Sequence, residues 1–251
     1  MSFLIGLLAG IFGGLVGVGG GVIMIPLMVR FLKLDQHQAH GTSLVALVFT
    51  GIGGAIAYGL KGTVDIPAAL LLASTAILTA RAGAHFAHSL PEWKLKRYFG
   101  GFLVYVSLML LAKPYLSFLQ ATTGMGFGGI FVLLLTGLFA GFLAGLMGIG
   151  SGSIMVPAMV LFLGFNQHTA QGTALLAMVP AGGVGAYAYW KLGNVRTDII
   201  AGLIAGILLG SYLGGTSAHY LSEVVLRIIF AAVLIWTGAR YLTAGRPAPK
   251  I

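Results

Sequence analysis

Polar positions are scarce along this chain and fall in clusters, leaving long apolar runs between them. Six runs, 39–60, 66–88, 96–113, 169–190, 198–218 and 224–243, come close to the roughly 20 residues that a helix needs to span a bilayer. Two further stretches, 2–33 and 126–164, are too long for one helix each. Both are interrupted by glycine, in GLVGVGGGVIMIP at 14–26 and GLMGIGSGSIMVP at 145–157. Each interruption leaves a first arm of roughly 16–20 residues and a second arm of about 13, the latter too short to cross a bilayer unaided. The second arms are Gly21 to Lys33 and Gly152 to Gly164, with Pro26 and Pro157 placed as kinks inside them.

Sliding the sequence over itself by 131 places aligns the halves without a gap, 19 of 33 positions being identical from Gly14–Ala46 to Gly145–Ala177. The matches include Gln36/Gln167 and His37/His168, and the echo continues through Gly62/Gly193, His88/His219 and Glu92/Glu223. Composition bias cannot place Gln, His and Glu at one fixed offset. The repeats are 1–120 and 121–251. Their relative orientation follows from lysine and arginine. If each broken stretch is a hairpin, one face collects Arg30, Lys33, Arg81, Lys94, Lys96, Arg97, Lys191, Arg196, Arg240, Arg246 and Lys250, and the other only Lys61, Lys113 and Arg227. That imbalance is what a cytoplasmic face shows, whereas parallel repeats would split the cations evenly. The expected architecture is an all-α polytopic membrane protein of two inverted-topology repeats, each a glycine-broken helical hairpin plus three transmembrane helices, with both termini cytoplasmic. Trp93, Tyr98, Tyr189, Trp190, Tyr220 and Tyr241 stand where interfacial anchors sit.

Composition agrees. Of 251 residues 58% are hydrophobic and 8% charged, with a mean hydropathy of +1.00, against about 25% charged in a soluble domain. The net charge of +9 then marks the cytoplasmic face rather than a nucleic-acid partner. Absence of cysteine removes disulfides, thiolate catalysis and Cys-based metal sites. No basic residue precedes Phe3–Phe12, so no cleavable signal peptide is expected.

Non-helical backbone at membrane depth survives only where protein buries it or water reaches it. Interrupted helices meeting near the midplane from inverted repeats are the plan of secondary transporters. The second arm's N-terminus then offers N–H groups and roughly half a positive charge, an anion site made from backbone. Glycine also serves close helix packing, but packing alone does not explain why the two densest runs occupy equivalent positions and each end in IMxP. A nucleotide loop would need a following GK[ST], which is missing. HGTSL (40–44) and QGTAL (171–175) open the next long helices. Thr42 and Thr173 either bond locally to backbone or, with His40, Ser43 and Gln171, face the glycine runs and bind substrate oxygens. His37 and His168 read as structural or gating groups on opposite faces. Asp35, Asp65, Glu92, Asp198 and Glu223 all lie in or beside loops, so the midplane carboxylate of a cation carrier is absent. Arg81 is the one cation well inside an apolar run. It either snorkels or draws anions into a vestibule.

With the paired glycine runs, each followed by proline, and the GTSL and GTAL motifs, the chain resembles the TauE/SafE (sulfite exporter) family of membrane permeases over nearly its whole length. The resemblance implies movement of small sulfur-containing or carboxylic anions such as sulfite or sulfoacetate. Carried over, it implies a site of Gly17, Gly19, Gly20 and Gly21 with Gly148, Gly150, Ser151 and Gly152, joined by Thr42 and Thr173. The halves differ at Gly20/Ser151, His40/Gln171 and Ser43/Ala174.

The function expected is alternating-access transport of a small anion across a bacterial or archaeal inner membrane, in the direction of export, with no cofactor, metal, nucleic acid or catalytic residue. A potential negative inside drives anions outward by about 2.3 kcal/mol per charge per 100 mV. A proton-coupled importer using His40 and an anion channel are the alternatives. A membrane enzyme lacks a reactive constellation here.

Overall fold

The computed structural model describes residues 1–86, 92–113, 126–148 and 150–243, the side chains of Gln36 and of 92–96 excepted. His88, Arg246 and Lys250, and the side chains of Glu92, Trp93, Lys94 and Lys96, therefore lie outside the described residues. Ten helices are described: α1 Ser2–Val16, α2 Gly21–Phe31, α3 Gln36–Gly59, α4 Ile66–Phe86, α5 Glu92–Leu111, α6 Phe127–Met147, α7 Gly152–Phe162, α8 Gln167–Lys191, α9 Thr197–Ala218 and α10 Glu223–Leu242. The six expected spans correspond to α3, α4, α5, α8, α9 and α10. Five helices, α3, α4, α6, α9 and α10, are long and apolar enough to cross a membrane. The arms differ in length from expectation. α6 has 21 residues and is itself long enough to span, while α2 and α7 have 11 each. The short arms stop because Lys33 and Gly164 turn left-handed, at φ 52 and φ 71, and the next N–H folds back: Phe165 donates to Met159 O at 3.1 Å. This is the usual left-handed helix ending.

Caps repeat between the halves. The Asp35 carboxylate accepts from Gln38 N at 2.8 Å at the start of α3, and the Asn166 side-chain oxygen accepts from Thr169 N at 2.7 Å at the start of α8. Each satisfies an orphan first-turn donor and is worth about 1 kcal/mol.

Two seams of small residues hold the bundle. α1 and α9 run in the same direction with Gly6, Gly10 and Gly14 against Leu203, Ile207 and Ser211, and with Gly206, Gly210 and Gly214 against Phe3, Leu7 and Ile11. α6 and α4 repeat this, Gly137, Gly141 and Gly145 facing Leu72, Ala76 and Ala80. A Cβ at Gly14 or Gly145 would strike the backbone carbonyl of Ser211 or Ala80. The close approach exists because side chains are missing there, the packing device of membrane helices.

α3 and α8 form the centre and run in opposite directions, Gly51 and Gly54 meeting Leu175 while Gly182 and Gly185 meet Leu44. α5 and α10 also oppose each other, Gly100 against Gly238, with Arg97 Nε donating to Leu242 O at 3.2 Å. Helices at equivalent places in the two halves thus pair antiparallel. Outside, Leu8, Leu78, Phe102, Phe139, Leu213 and Trp236 are exposed, as a lipid-facing surface requires.

Candidate functional site

Gly17 ends α1 in the left-handed conformation, φ 74, with its N–H on Gly13 O at 2.9 Å. Gly19 and Gly20 follow at φ 93 and φ 54. The chain reverses there, so that Gly20 lies against Ala9 and Gly13 and α2 returns beside α1. Gly148 and Gly150 make the second break at φ 64 and φ 107. An L-residue in this region is strained by roughly 1–2 kcal/mol. Ser151, the counterpart of Gly20, is right-handed at φ −77 and so accommodates a side chain.

The two breaks touch. Gly152 packs on Gly17 O and Val18, and Gly150 packs on Val18 O. Met178 of α8 lies over both Gly19 and Gly150, and its counterpart Leu47 of α3 covers Gly19. Gly17, Val18, Gly19, Gly20, Gly21, Gly148, Gly150, Ser151 and Gly152 are all buried. Among the described residues no side chain caps α2 or α7, and the positive ends of both short arms lie at this contact.

Each break is seated on the helix opened by the other half's GT motif. Gln171 lies against Gly17 and accepts from the Tyr58 hydroxyl at 2.8 Å. His40 occupies the equivalent place, with Nδ1 3.2 Å from where a Cβ on Gly148 would stand. Ser43 Oγ lies 2.7 Å from His40 O and 2.9 Å from Gly148 O, pinning α3 to the second break. In the same motifs, Thr42 and Thr173 accept backbone N–H groups from the opposite half's loops: Thr42 from Arg196 at 3.1 Å, Thr173 from Asp65 at 2.9 Å. Their oxygens latch loops, and they are buried at 1% and 0% exposure.

Among the described residues, two buried polar atoms at the breaks have no partner, Ser151 Oγ and Gln171 Nε2, in side chains 1% and 0% exposed. A buried donor without an acceptor costs about 1–3 kcal/mol. Native structures keep such groups for a ligand, a water or strain.

A broken-helix contact of this kind invites comparison with known membrane proteins. The sequence profile of the family described as Sulfite exporter TauE/SafE matches residues 2–241. The chain belongs to the TauE/SafE family. It is 28% identical to the "Probable membrane transporter protein YunE" of Bacillus subtilis, over 98% of this chain and 99% of that protein. A "Probable membrane transporter protein" of Xylella fastidiosa is 29% identical over 92% of each chain. "Sulfite exporter TauE/SafE family protein 3" of Arabidopsis thaliana is 35% identical, over 34% of this chain and 18% of its own length. No solved structure matches the chain. Family membership makes this an integral membrane transporter and not an enzyme.

Within the TauE/SafE chain the remaining residues singled out from sequence are spread more widely. Arg81 is exposed on α4, next to Ala80, which packs on Gly145. His168 Nε2 lies 3.2 Å from Ala218 O, tying the start of α8 to the end of α9. Among the aromatic residues, Tyr98, Trp190 and Tyr220 are exposed near helix ends, but Tyr189 is 1% exposed. It packs against Gly41 and is no interfacial anchor. Tyr58, its counterpart, is equally buried and touches the site through Gln171. Nothing in a tyrosine near a helix end distinguished these two from anchors except their equivalence under the 131-residue offset. Leu47 and Met178 left no signal at all, since each is one apolar residue among many.

Proposed function

We propose that this transporter moves small anions, sulfite or organosulfonates, by alternating access around the paired breaks, in the direction of export. The observation that carries the proposal is the break-to-break contact, with Ser151 Oγ and Gln171 Nε2 buried beside it and without a partner among the described residues. Opening either side of that contact presents two helix N-termini, an amide and a hydroxyl to a ligand. Oriented dipoles of this sort hold an anion without a full positive charge. The two halves, 1–120 and 121–251, act as inverted repeats, a reading supported by the antiparallel pairing of α3 with α8 and of α5 with α10. The termini then lie on the cytoplasmic face with most lysines and arginines.

A carrier is favoured over a channel because the breaks are packed on one another and buried, with no open path between them drawn by these contacts. The test is uptake of radiolabelled sulfite and sulfoacetate into proteoliposomes, with an imposed potential of either sign and with or without a pH gradient. Saturable flux that follows the potential alone is the expected result. A flux that needs the pH gradient would replace this with the proton-coupled import that His40, beside Gly148, could serve. Single-channel currents would refute the carrier, and no flux of either anion would refute the substrate class.

A further inference from the structure

Four buried side-chain atoms have no partner among the described residues: Ser151 Oγ, Gln171 Nε2, and both Oε1 and Nε2 of Gln167. The first two stand at the breaks. Gln167, the first residue of α8, is 2% exposed and has no part in the contacts described above. A whole amide buried without a hydrogen bond is costly. The helix end does not require it, because Asn166 is the cap and takes Thr169 N.

Helix geometry says where this amide stands. Gln167 and Gln171 are four residues apart on α8, so they share one face, with Cβ atoms about 5–6 Å apart. Helical side chains lean toward the N-terminus, which carries Gln171 over the turn that holds Gln167. The stem of Gln171 lies on Gly17, and Met178, further along the same face, covers Gly19 and Gly150. The unpartnered amides thus follow one stripe of α8, from the first break to a point about 6 Å nearer the face where the helix begins. That end of the stripe is positive. The N-terminus of α8 carries roughly half a positive charge, and Lys113 Nζ donates to Phe165 O at 3.3 Å, just before α8 starts. The charged neighbours of Lys113 are Arg227 and Glu223.

We propose that Gln167 and Gln171 form a second anion subsite, one helical turn from the breaks, which takes a small oxyanion bearing a hydroxyl group. The proposal rests on the reading of the breaks as the transport site, and adds a stop between them and the face where α8 begins.

The free atoms set the chemistry. A primary amide accepts through its oxygen and donates through its nitrogen. Gln171 Oε1 is taken by the Tyr58 hydroxyl, so Gln171 offers N–H alone. Gln167 offers N–H and a carbonyl oxygen, and turning its amide over leaves the same pair. The two nitrogens suit the charged oxygens of a sulfonate or carboxylate. The Gln167 oxygen needs a hydrogen from the ligand, which a bare sulfonate lacks and a hydroxyl supplies. A hydroxylated anion is therefore preferred over its plain analogue by about fivefold, the worth of one hydrogen bond. The equivalent positions on α3 hold Gln36 and His40, so the halves keep the first amide of the stripe and change the second group.

The experiment is calorimetric titration of the full chain in nanodiscs with isethionate and with ethanesulfonate, which differ by one hydroxyl. It is read beside the thermal unfolding midpoint without ligand. Wild type should bind isethionate about fivefold more tightly. Gln167→Met replaces the amide by an apolar chain of similar length. It should keep or raise the midpoint, weaken isethionate and erase the preference between the two sulfonates. A lowered midpoint with the preference intact would mark Gln167 as structural and overturn the proposal, as would equal affinities in wild type. Should Gln167→Met fail to fold, Gln167→Cys gives a single thiol in a chain without cysteine. Its alkylation from solution should slow when ethanesulfonate is present, and an unreactive thiol or a rate indifferent to the anion overturns the proposal. Ser151→Gly tells the subsite from the breaks, because it should weaken both sulfonates equally and leave the preference. If Ser151→Gly changes neither affinity while Gln167→Met erases the preference, the break assignment falls and the subsite stands. Binding of neither sulfonate in wild type removes the subsite, and sulfite flux then decides the break reading by itself.

Discussion

The two glycine breaks share one backbone plan and differ in chemistry. The first has left-handed glycines at 17, 19 and 20 and is seated on the aliphatic stem of Gln171. The second has them at 148 and 150, then a right-handed serine whose hydroxyl has no partner among the described residues, and is seated on the imidazole of His40 and the hydroxyl of Ser43. Outside them the latched residues are Asp65 on one side and Arg196 on the other. Symmetry is kept where the chain must turn and given up where a side chain can meet a ligand. A site of this kind can present different polar groups to the two ends of one small molecule.

The sharpest way to break the equivalence is one substitution made in each half. An alanine Cβ at Gly150 would meet Val18 O, a backbone atom held by the opposing break, at φ 107. At Gly19 it would meet the mobile ends of Met178 and Leu47, at φ 93. Gly150→Ala is expected to destabilise by roughly 3 kcal/mol and abolish flux, and Gly19→Ala by about 1–2 kcal/mol with residual flux. Thermal unfolding in detergent alongside proteoliposome uptake measures both, and equal losses would show that the halves constrain their breaks alike.

A smaller effect separates Gly20 from Ser151. Ser151→Gly removes a hydroxyl with no partner among the described residues, so the fold should lose well under 1 kcal/mol while the Kd for the anion rises about fivefold, the worth of one hydrogen bond. Gly20→Ser enters a left-handed position against Ala9 O and should cost about 1–2 kcal/mol. Calorimetric titration and unfolding midpoints distinguish the two, and an unchanged Kd in Ser151→Gly would remove that hydroxyl from the site.

The smallest difference lies at the ends of the short arms. Lys33 holds φ 52 where its counterpart Gly164 holds φ 71. Lys33→Gly should therefore stabilise by about 0.5–1 kcal/mol, and Gly164→Ala should destabilise by a similar amount. Both are read from the unfolding midpoint.

Much of this was legible in the chain itself, because a membrane leaves few ways to satisfy backbone. The boundaries of α3, α4, α8, α9 and α10 follow from apolar run length, and the breaks at 17–20 and 148–151 from glycine density at a repeated offset. The site's surroundings were less legible for a physical reason. Gln171 reaches Gly17, and Thr173 reaches Asp65, through contacts between halves, and no local period encodes those. Thr42 and Thr173 carry hydroxyls that look equally suited to a ligand or to a loop N–H, and only three-dimensional placement shows the loop taking them. Tyr189 looks like an interfacial ring until Gly41 is found beneath it. Gln167 stood out only as half of a matched pair with Gln36.

The seam between α1 and α9 also bears on how the molecule is made. The glycine face of α1, Ser2–Val16, leaves the ribosome long before its partner α9, which begins at Thr197. Until then the first hairpin must wait in the membrane without that partner. Nascent chains stalled before α9 should accordingly be handed to membrane chaperones or proteases, and those stalled after it should not.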